Sequence, residues 1–466
     1  MVFSFLRNRI NRSGLRSLKK RGSRIDRFKL TSRSGIRAVL LENETIAHAV
    51  TTHAKENGIL DAQAWQKVER YINEIVPFFN LLAYYRFGYF VSRTILNSLY
   101  KVSADQHGSA GAHSLPKDAI VVYLMNHRSN ADYVLVGYVL TGRVAISYAV
   151  GEWARAFPLE YIFKSFGSYF IRRKFREPLY HCVLEQYVQL ITKNGVTQGI
   201  FPEGGLSRDG KLKPAKIGLL DYIIGVARDA EYQNRIYLVP VAINYDRVLE
   251  DRSLLRELAV TEGRRTPALG SQLYEVTRYL WWNAARAVLR KWKRYGRAAV
   301  VIGEPVPLGP WLLQTDENGD TLFDAPRHER LARIQVLCDS MMARIGEIVP
   351  VTPVTLACAA IQSLDSDFIS RRELIERMGD MRDVLMELNA RVIRSEGDIE
   401  ETFDRAWKML SMRRMLVASG NGFAVLPANR ALISYYANSI AHLLGPFANG
   451  VRMRDTLPAM KAAWMS

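Results

Sequence analysis

A histidine and an aspartate five residues apart, His127 and Asp132, are the first side chains in this sequence whose types and spacing suit chemistry. The apolar run 120–124 precedes them and the apolar segment 133–140 follows, so we predict a buried strand, a loop and a helix in that order. His127 then lies in the loop and Asp132 in the first helical turn, where the carboxylate can reach the imidazole. A histidine oriented by a carboxylate is suited to general-base catalysis. The alternative is a surface histidine beside an aspartate at a helix N-terminus.

Two adjacent arginines, Arg172 and Arg173, end the segment 167–173, where we predict the end of another strand. Neighbouring guanidinium groups can hold a phosphate through charge-assisted hydrogen bonds, for which their geometry is well suited. A phosphate site is therefore one interpretation of this strand end. A solvated charge pair is the alternative.

The segment 202–211 carries paired glycines, Gly204 and Gly205, which let backbone amides approach an oxygen ligand closely. Ser207 and Arg208 supply hydrogen-bond donors, and Lys211, Lys213 and Lys216 follow and keep the local charge positive. These donors and cations favour an anionic ligand, whereas a plain tight turn is the alternative. The G-x-x-x-x-G-K-[ST] spacing of a P-loop is missing, so we do not expect nucleotide hydrolysis.

Short apolar runs alternate with helical segments between residues 118 and 245. The predicted strands lie near 119–125, 144–150, 168–172, 197–202 and 236–244, and another lies at 298–302. The predicted helices lie near 132–141, 153–165, 178–193 and 215–229. This alternation is typical of βαβ units and predicts an α/β fold with a mostly parallel sheet flanked by helices. Ligand sites of such sheets lie at the carboxyl ends of the strands, where His127, Arg172 and Gly204 are all expected.

Composition divides the chain into four parts. They are a basic arm (1–37), a helical N-terminal region (38–117), the α/β domain (118–310) and a helical C-terminal region (311–466). The arm has twelve Lys or Arg residues and one acidic residue, Asp26. It is either a disordered tail or an arm attracted to anionic lipid headgroups, and its few aromatics disfavour RNA binding.

Three further segments have open interpretations. Residues 74–100 form either a core helix or an interfacial helix, and residues 103–117 are predicted to be a loop or domain boundary. Residues 272–297 mix tryptophans and tyrosines with cations, which favours a helix at a membrane interface. An exposed helix with snorkelling arginines is the alternative for that segment.

Charge and cysteine content narrow the function classes. The 466 residues carry a formal net charge of +18, which suggests a polyanionic surface or acidic substrates. Three cysteines without a C-x-x-C pair argue against a disulfide framework and fit a reducing compartment. We expect no metal site, no membrane-spanning helix and, since apolar residues precede the basic ones, no signal peptide.

Taken together, four blocks of this sequence resemble those of the glycerolipid acyltransferases. The blocks are the His127–Asp132 pair, the G-x-[YF]-F-I-R-R segment 167–173, the P-E-G-G segment 202–208 and the V-P-V segment 239–241. Their order and spacing also fit. Within the superfamily, the sequence looks most like the branch that acylates glycerol 3-phosphate or dihydroxyacetone phosphate. This likeness lies in segments 171–173, 203–205, 244–246 and 303–305, and segment 435–444 is similar to that branch too.

The resemblance implies an O-acyltransferase that uses acyl-CoA or acyl carrier protein as donor and needs no further cofactor. It implies that His127 deprotonates the 1-hydroxyl of glycerol 3-phosphate while Asp132 holds the imidazole, so that no serine or cysteine nucleophile is required. The implied phosphate-binding residues are Arg172, Arg173, Arg208 and Lys216. The implied substrate-positioning residues are Glu203, Gly204, Gly205 and Ser207. The strand residues Val239, Pro240 and Val241 are expected to shape an acyl pocket.

The sequence departs from that branch at Leu206, where an arginine is usual, and it is shorter than the large bacterial enzymes. The departure weakens the distinction from lysophosphatidate acyltransferases. Acylation of lysophosphatidate or dihydroxyacetone phosphate therefore stays an alternative, as does a basic membrane- or nucleic-acid-binding protein with an inactive enzyme core. We expect a peripheral protein on anionic lipid at the cytoplasmic face of a membrane, without a nucleic-acid partner.

Overall fold

The computed structural model describes residues 33–78, 89–108, 115–140, 146–151, 159–165, 167–172, 175–261, 295–315, 319–393, 397–445 and 447. Several predictions from the sequence therefore lie outside the described residues. They concern most of the basic arm, Arg173, and residues 272–294 of the aromatic and basic segment.

A mostly parallel sheet forms the centre of the described chain. Its strands are β1 (Lys101–Gln106), β2 (Ile120–Met125), β3 (Ser147–Val150), β4 (Tyr169–Phe170), β5 (Gln198–Ile200), β6 (Ile236–Tyr245), β7 (Arg297–Ile302) and β8 (Val306–Pro307). The order across the sheet is β1-β7-β6-β2-β5-β3-β4, and β8 also pairs with β6. The pairings of β6 with β7 and with β8 are antiparallel, and the others are parallel. The predicted fold class, α/β with a mostly parallel sheet, is confirmed.

Strand β2 lies at the centre because its sequence is apolar on both faces. All six of its residues are buried, as expected for a parallel strand covered by helices on both sides. It pairs with β5 on one side and β6 on the other, so that Leu124 lies between Ile200 and Pro240. The loop that leaves β2 therefore emerges from the middle of the sheet at its carboxyl edge.

Helices pack against this sheet. They are α1 (Arg33–Leu41), α2 (Glu44–Asn57), α3 (Asp61–Ile75), α4 (Tyr89–Leu99), α5 (Asp132–Leu140), α6 (Leu159–Ser165), α7 (Pro178–Lys193), α8 (Leu219–Ile224), α9 (Ala230–Gln233), α10 (Asp251–Thr261) and α11 (Gly309–Leu312). The ends of these helices are marked by nearby residues in the sequence. For α2, the side chain of Asn43 accepts the N–H of Ile46, and Gly58 ends the helix in the left-handed region at φ 63°.

The C-terminal region packs against the same sheet. Its helices are α12 (Arg327–Glu347), α13 (Pro353–Leu364), α14 (Arg371–Glu387), α15 (Ile399–Met412), α16 (Arg430–Ala437) and α17 (Ala441–Leu444). Three short antiparallel strands accompany them: β9 (Phe368–Ser370), β10 (Leu416–Ser419) and β11 (Gly422–Val425). The sequence predicted the helices of this region but not its small sheet, because strands of three or four residues carry too little alternation to be recognised.

Two predicted elements are corrected by the structure. Residues 103–106, expected in a loop, belong to β1, which pairs in parallel with β7 at the edge of the main sheet. This strand is polar and largely exposed, a pattern common at sheet edges and hard to distinguish from a loop in the sequence. The helix predicted at 215–229 begins only at Leu219, after Gly218 at φ 41°, and continues as a 3-10 helix from Gly225 to Arg228. Among the helices of the described ranges, we find none with the length and apolar character needed to cross a bilayer.

Candidate active site

The side chains of His127 and Asp132 contact each other, as their spacing predicted. Nδ1 of His127 lies 3.0 Å from Oδ2 of Asp132, and both side chains are buried, with exposed fractions of 1% and 0%. His127 is in the loop after β2, and Asp132 is the first residue of α5. With the carboxylate as acceptor, Nδ1 carries the hydrogen, so Nε2 is the basic nitrogen of the ring.

Four donors fix the orientation of the Asp132 carboxylate. Besides Nδ1 of His127, the backbone N–H groups of Arg128 and Ser129 donate to Oδ2 at 2.7 and 2.9 Å. The hydroxyl of Tyr245, the last residue of β6, donates to Oδ1 at 2.6 Å. The loop thus closes around its own aspartate, and a neighbouring strand supplies the remaining contact.

The imidazole of His127 is also fixed by the chain around residue 203. Its ring stacks on Phe201 with centroids 4.1 Å apart. The backbone N–H of His127 donates to Oε1 of Glu203 at 3.0 Å, and its carbonyl accepts the N–H of Ser207 at 3.1 Å. His127 is therefore held by contacts to its ring and to its backbone.

Glu203 is a buried carboxyl group that links two loops. Its second oxygen, Oε2, accepts the N–H of Lys213 at 3.3 Å. Burial raises the pKa of Glu203 to about 7, against the lowering effects of the His127 N–H and of the charge of Arg128. Both protonation states of Glu203 are consequently populated near neutral pH, which makes the anchor of His127 sensitive to pH.

The glycine segment predicted to position the substrate forms a tight loop beside the histidine. Gly204 has φ 65°, and a Cβ there would lie 3.1 Å from Cδ of Lys216, so Lys216 lies directly against this turn. Gly205 follows and is partly buried. The hydroxyl of Ser207 donates to the carbonyl of Lys211 at 2.7 Å and accepts the N–H of Gly210 at 3.1 Å. Ser207 therefore closes its own loop.

Arg172 and Arg208, predicted to bind phosphate, are both held by carboxylates. The guanidinium of Arg172 donates to both oxygens of Glu74, at 2.8 and 2.5 Å, and lies 4.8 Å from the ring centroid of Phe175. Strand β4, which it follows, is three strands from β2, or roughly 14 Å at about 4.8 Å per strand. Nε of Arg208 donates to Glu257 at 3.0 Å. The structure does not bring Arg172 to the His127 loop, and phosphate binding by either arginine stays a prediction.

The residues predicted to line an acyl pocket lie in the middle of β6. Val239 and Val241 are fully buried and pair with β2. Strand β6 pairs with β8 up to Leu238 and with β7 from Val241 onward. Pro240 lies between these two stretches. This gap between two antiparallel partners accommodates a proline inside a sheet. Their contact with an acyl chain stays a prediction.

Three residues of the site were not predicted from the sequence: Arg128, Tyr245 and Glu250. Oε2 of Glu250 accepts the hydroxyl of Ser129 at 2.7 Å, and Oε1 accepts the N–H of Asn130 at 3.2 Å. Burial raises the pKa of Glu250 to about 7, and the nearby charge of Asp132 acts in the same direction. The resemblance at segment 244–246 gave a signal for Tyr245, whereas an isolated acid such as Glu250 gave none.

The C-terminal region reaches the loops of the site. The carbonyl of Tyr435 lies so close to Gly210 that a Cβ on that glycine would be 1.9 Å from it. The side chain of Asn438 donates to the carbonyl of Asp209 at 2.9 Å. On the other side, Nδ2 of Asn244 in β6 contacts the hydroxyl of Ser439 at 3.2 Å. Segment 435–439 is therefore part of the wall around the His127 loop.

This arrangement is suited to removing a proton from a hydroxyl group. A buried imidazole with its Nδ1 on a carboxylate can accept a proton at Nε2 while the hydroxyl oxygen attacks a carbonyl carbon. Within the described residues, no group of three or more His, Cys, Asp or Glu side chains is arranged to hold a metal ion.

Two family models match the sequence. The model described as Acyltransferase matches residues 109–244, which include the His127 loop and most of β6. The model described as the glycerol-3-phosphate acyltransferase C-terminal region matches residues 281–449. The two matches lie on the two parts of the chain that meet at the site.

Curated relatives named glycerol-3-phosphate acyltransferase match most of the chain. The relative from Aeromonas hydrophila is 27% identical over 423 residues, which cover 89% of this chain and 50% of the relative. The relative from Pseudoalteromonas translucida is 27% identical, with coverage of 89% and 50%, and that from Xylella fastidiosa strain 9a5c is 26% identical, with coverage of 87% and 46%. The chain spans about half the length of the curated relatives it matches.

A crystal structure of the 1-acyl-sn-glycerophosphate acyltransferase PlsC from Thermotoga maritima is also similar. Its sequence identity is 18% and the TM-score is 0.31, with coverage of 56% of this chain and 78% of that chain. A TM-score this low does not establish a shared fold.

Proposed function

We propose that this chain is a member of the glycerol-3-phosphate acyltransferase family, which its matches support, and that it transfers a fatty acyl group to the 1-hydroxyl of glycerol 3-phosphate. The donor is acyl-CoA or acyl carrier protein, and the product is 1-acyl-glycerol 3-phosphate, made in the first step of phospholipid synthesis. The observation that carries the proposal is the buried His127–Asp132 contact at the end of the central strand, inside the acyltransferase match.

In the proposed reaction, Nε2 of His127 takes the proton of the 1-hydroxyl as that oxygen forms a bond to the thioester carbonyl carbon. The carbonyl π electrons move to oxygen, and on their return the carbon–sulfur bond breaks. The leaving thiolate then receives the proton from His127, which restores the neutral base. Asp132 stabilises the imidazolium formed between these steps, and Tyr245 and the loop amides hold Asp132 in place.

The choice of acceptor is supported by the names of the curated relatives and by the positive charge of the site loop. Lys211, Lys213 and Lys216 follow the glycine turn within one loop, and a cationic loop attracts a phosphate-bearing acceptor. 1-Acylglycerol 3-phosphate and dihydroxyacetone phosphate share that phosphate and are the alternative acceptors.

The acceptor is tested by assaying the full chain with glycerol 3-phosphate, dihydroxyacetone phosphate and 1-acylglycerol 3-phosphate, each with acyl-CoA and with acyl carrier protein. We expect the highest kcat/KM for glycerol 3-phosphate. Absence of turnover with glycerol 3-phosphate, together with turnover of another acceptor, would refute this choice.

The catalytic role is tested by replacing His127 with alanine. Loss of a general base lowers rates by about 10²–10⁴-fold, and circular dichroism checks that the variant folds. A folded His127→Ala protein that transfers acyl groups at the wild-type rate would refute the mechanism.

We also propose peripheral attachment to anionic lipid at the cytoplasmic face of a membrane, supported by the net charge of +18. The alternative from another class, a basic lipid- or nucleic-acid-binding protein with an inactive core, is disfavoured by the intact His127–Asp132 contact. Binding to vesicles of anionic phospholipid, compared with filter binding to RNA, separates the two. Stronger binding to RNA than to vesicles would count against the membrane proposal.

A further inference from the structure

Arg128, the residue after His127, is a buried arginine at the junction of three segments. Only 2% of it is exposed. Its NH1 group donates to the carbonyl of Gly210, and its Cζ lies 5.1 Å from the ring centroid of Tyr435. One side chain thus connects the His127 loop, the loop at Gly210 and helix α16 of the C-terminal region.

Among the residues that the structure describes, no carboxylate forms a hydrogen bond with this guanidinium. Its Nε and NH2 groups are buried and lack a hydrogen-bond partner within the same part of the chain. A charge in this setting acts on its neighbours at close range, because little solvent screens it. The effect is visible at His442, whose pKa is lowered by burial and by the positive charge of Arg128.

Glu203 is the carboxyl group through which this field can reach the catalytic base. The titratable and charged groups around it are Arg128, Lys213 and His127, and Lys216 lies against the neighbouring Gly204 turn. Glu203 accepts the backbone N–H of His127, and the charge of Arg128 lowers its pKa against the raising effect of burial. An ionised carboxylate accepts an N–H more strongly than a protonated one.

We propose that Arg128 is a positioning residue of the acyl-transfer site, which favours the ionised form of Glu203 and thereby strengthens the contact through which Glu203 anchors the backbone of His127. The same side chain fixes Gly210 and Tyr435, so the C-terminal region holds the arginine in the place from which it acts. This inference rests on the proposed acyltransferase function, because its effect is measured on that reaction.

The test replaces Arg128 with methionine and measures kcat/KM between pH 5.5 and 9. Loss of the positive charge raises the pKa of Glu203, so the acidic limb of the profile moves to higher pH. We expect the acidic limb to shift by about one pH unit. On that limb kcat/KM then falls roughly tenfold, and it recovers above about pH 8. Arg128→Lys keeps the charge, and we expect its acidic limb to stay near that of the wild type.

A double-variant comparison identifies the route of the effect. In a Glu203→Gln background the side chain is neutral at every pH, so adding Arg128→Met must not shift the profile further. If the shift persists in that background, Arg128 acts directly on His127 and the route through Glu203 is wrong.

Arg377 offers a matched control away from the site. It also lies over an aromatic ring, 4.1 Å from the centroid of Phe447, and donates to the carbonyl of that residue at 2.9 Å. Arg377→Met removes a comparable cation–π contact, and we expect it to change Tm but not the pH profile.

An Arg128→Met protein that folds and has an unshifted acidic limb overturns the inference, even if its rate falls evenly at all pH values. If that variant does not fold, Glu203→Gln alone decides, because an acidic limb identical to the wild type would also overturn it. Failure of the proposed function is a different result, namely a wild-type protein without acyl transfer to any of the three acceptors.

Discussion

Tyr245 provides the sharpest test of the geometry of the site. Its hydroxyl donates to Oδ1 of Asp132 at 2.6 Å, and both residues are fully buried. Tyr245→Phe removes this donor and leaves the ring in place, so Asp132 keeps its three contacts at Oδ2 but loses the only one the structure describes at Oδ1.

The size of the effect follows from the charge of the acceptor. A hydrogen bond to an ionised group contributes about 1.5–3 kcal/mol. If this loss appears in the transition state, where Asp132 faces a positively charged His127, kcat falls by roughly 10- to 150-fold at about 1.36 kcal/mol per factor of ten. We expect the KM for the acceptor to change little, because the hydroxyl contacts the carboxylate and not the substrate.

The assay is steady-state acyl transfer to glycerol 3-phosphate at saturating donor, together with the Tm of each protein. Tyr100→Phe is the control, because the Tyr100 ring packs 5.5 Å from that of Tyr245 while its hydroxyl donates to the carbonyl of Arg247 at 2.8 Å. We expect this variant to lose stability but to keep kcat within about twofold, since its hydroxyl forms a hydrogen bond of about 0.5–1.5 kcal/mol that lies outside the proposed catalytic pair. Equal kcat values for Tyr245→Phe, Tyr100→Phe and the wild type would refute the role given to Tyr245.

Two further predictions concern stability. Gly210→Ala places a Cβ against the carbonyl of Tyr435 at φ 89°, whereas Gly195→Ala places one in open space at φ 69°. In urea titrations we expect Gly210→Ala to lower the free energy of unfolding by about 1–3 kcal/mol more than Gly195→Ala does. Similar losses in the two variants would contradict the close contact. Glu250 has a pKa of about 7 in the folded chain against 4.5 in the unfolded one, so its contribution to stability is complete below pH 4.5 and is lost as the pH rises through about 7. It amounts to roughly 3 kcal/mol, and we expect Glu250→Gln to flatten this part of the pH dependence of unfolding, whereas an unchanged slope would show that Glu250 is not the group responsible.

Much of the sheet could be predicted because its signals are local. The apolar runs of β2 and β6 are continuous, as buried parallel strands require, and were predicted to within one residue. Helix α7 begins at a proline and was predicted with its observed bounds, 178–193. The His127–Asp132 contact was also local, since one loop and one helical turn bring the two side chains together.

The parts of the site that could not be predicted depend on long-range contacts. Arg172 lies 98 residues from its partner Glu74 along the chain, so a pair of arginines in the sequence does not reveal that one of them is already neutralised. Glu250 meets the loop at Ser129 from 121 residues away. No local pattern distinguishes such a buried carboxyl from an exposed one.

The C-terminal region belongs to the site and is more than a cover for the sheet. Helix α12 packs on β2 and β6, and Oδ1 of Asp246, just after β6, accepts the N–H of Val354 at 3.2 Å. The buried pair of Arg413 and Asp251, with NH2 and Oδ1 2.9 Å apart, fixes α10 against the same region.

Each of these contacts joins the part matched by the acyltransferase model, or the residues 245–261 that follow it, to the part matched by the C-terminal model. The ring of Tyr435 in the C-terminal region packs over the guanidinium of Arg128, which is only 2% exposed. Solvent screens a buried charge less than an exposed one, so this packing contributes to the field of Arg128 at Glu203. The site is thus formed by both matched regions: a chain cut at residue 310 would keep His127, Asp132 and their direct contacts but would lose the Tyr435 ring beside Arg128 and the Asn438 contact to the Gly210 loop.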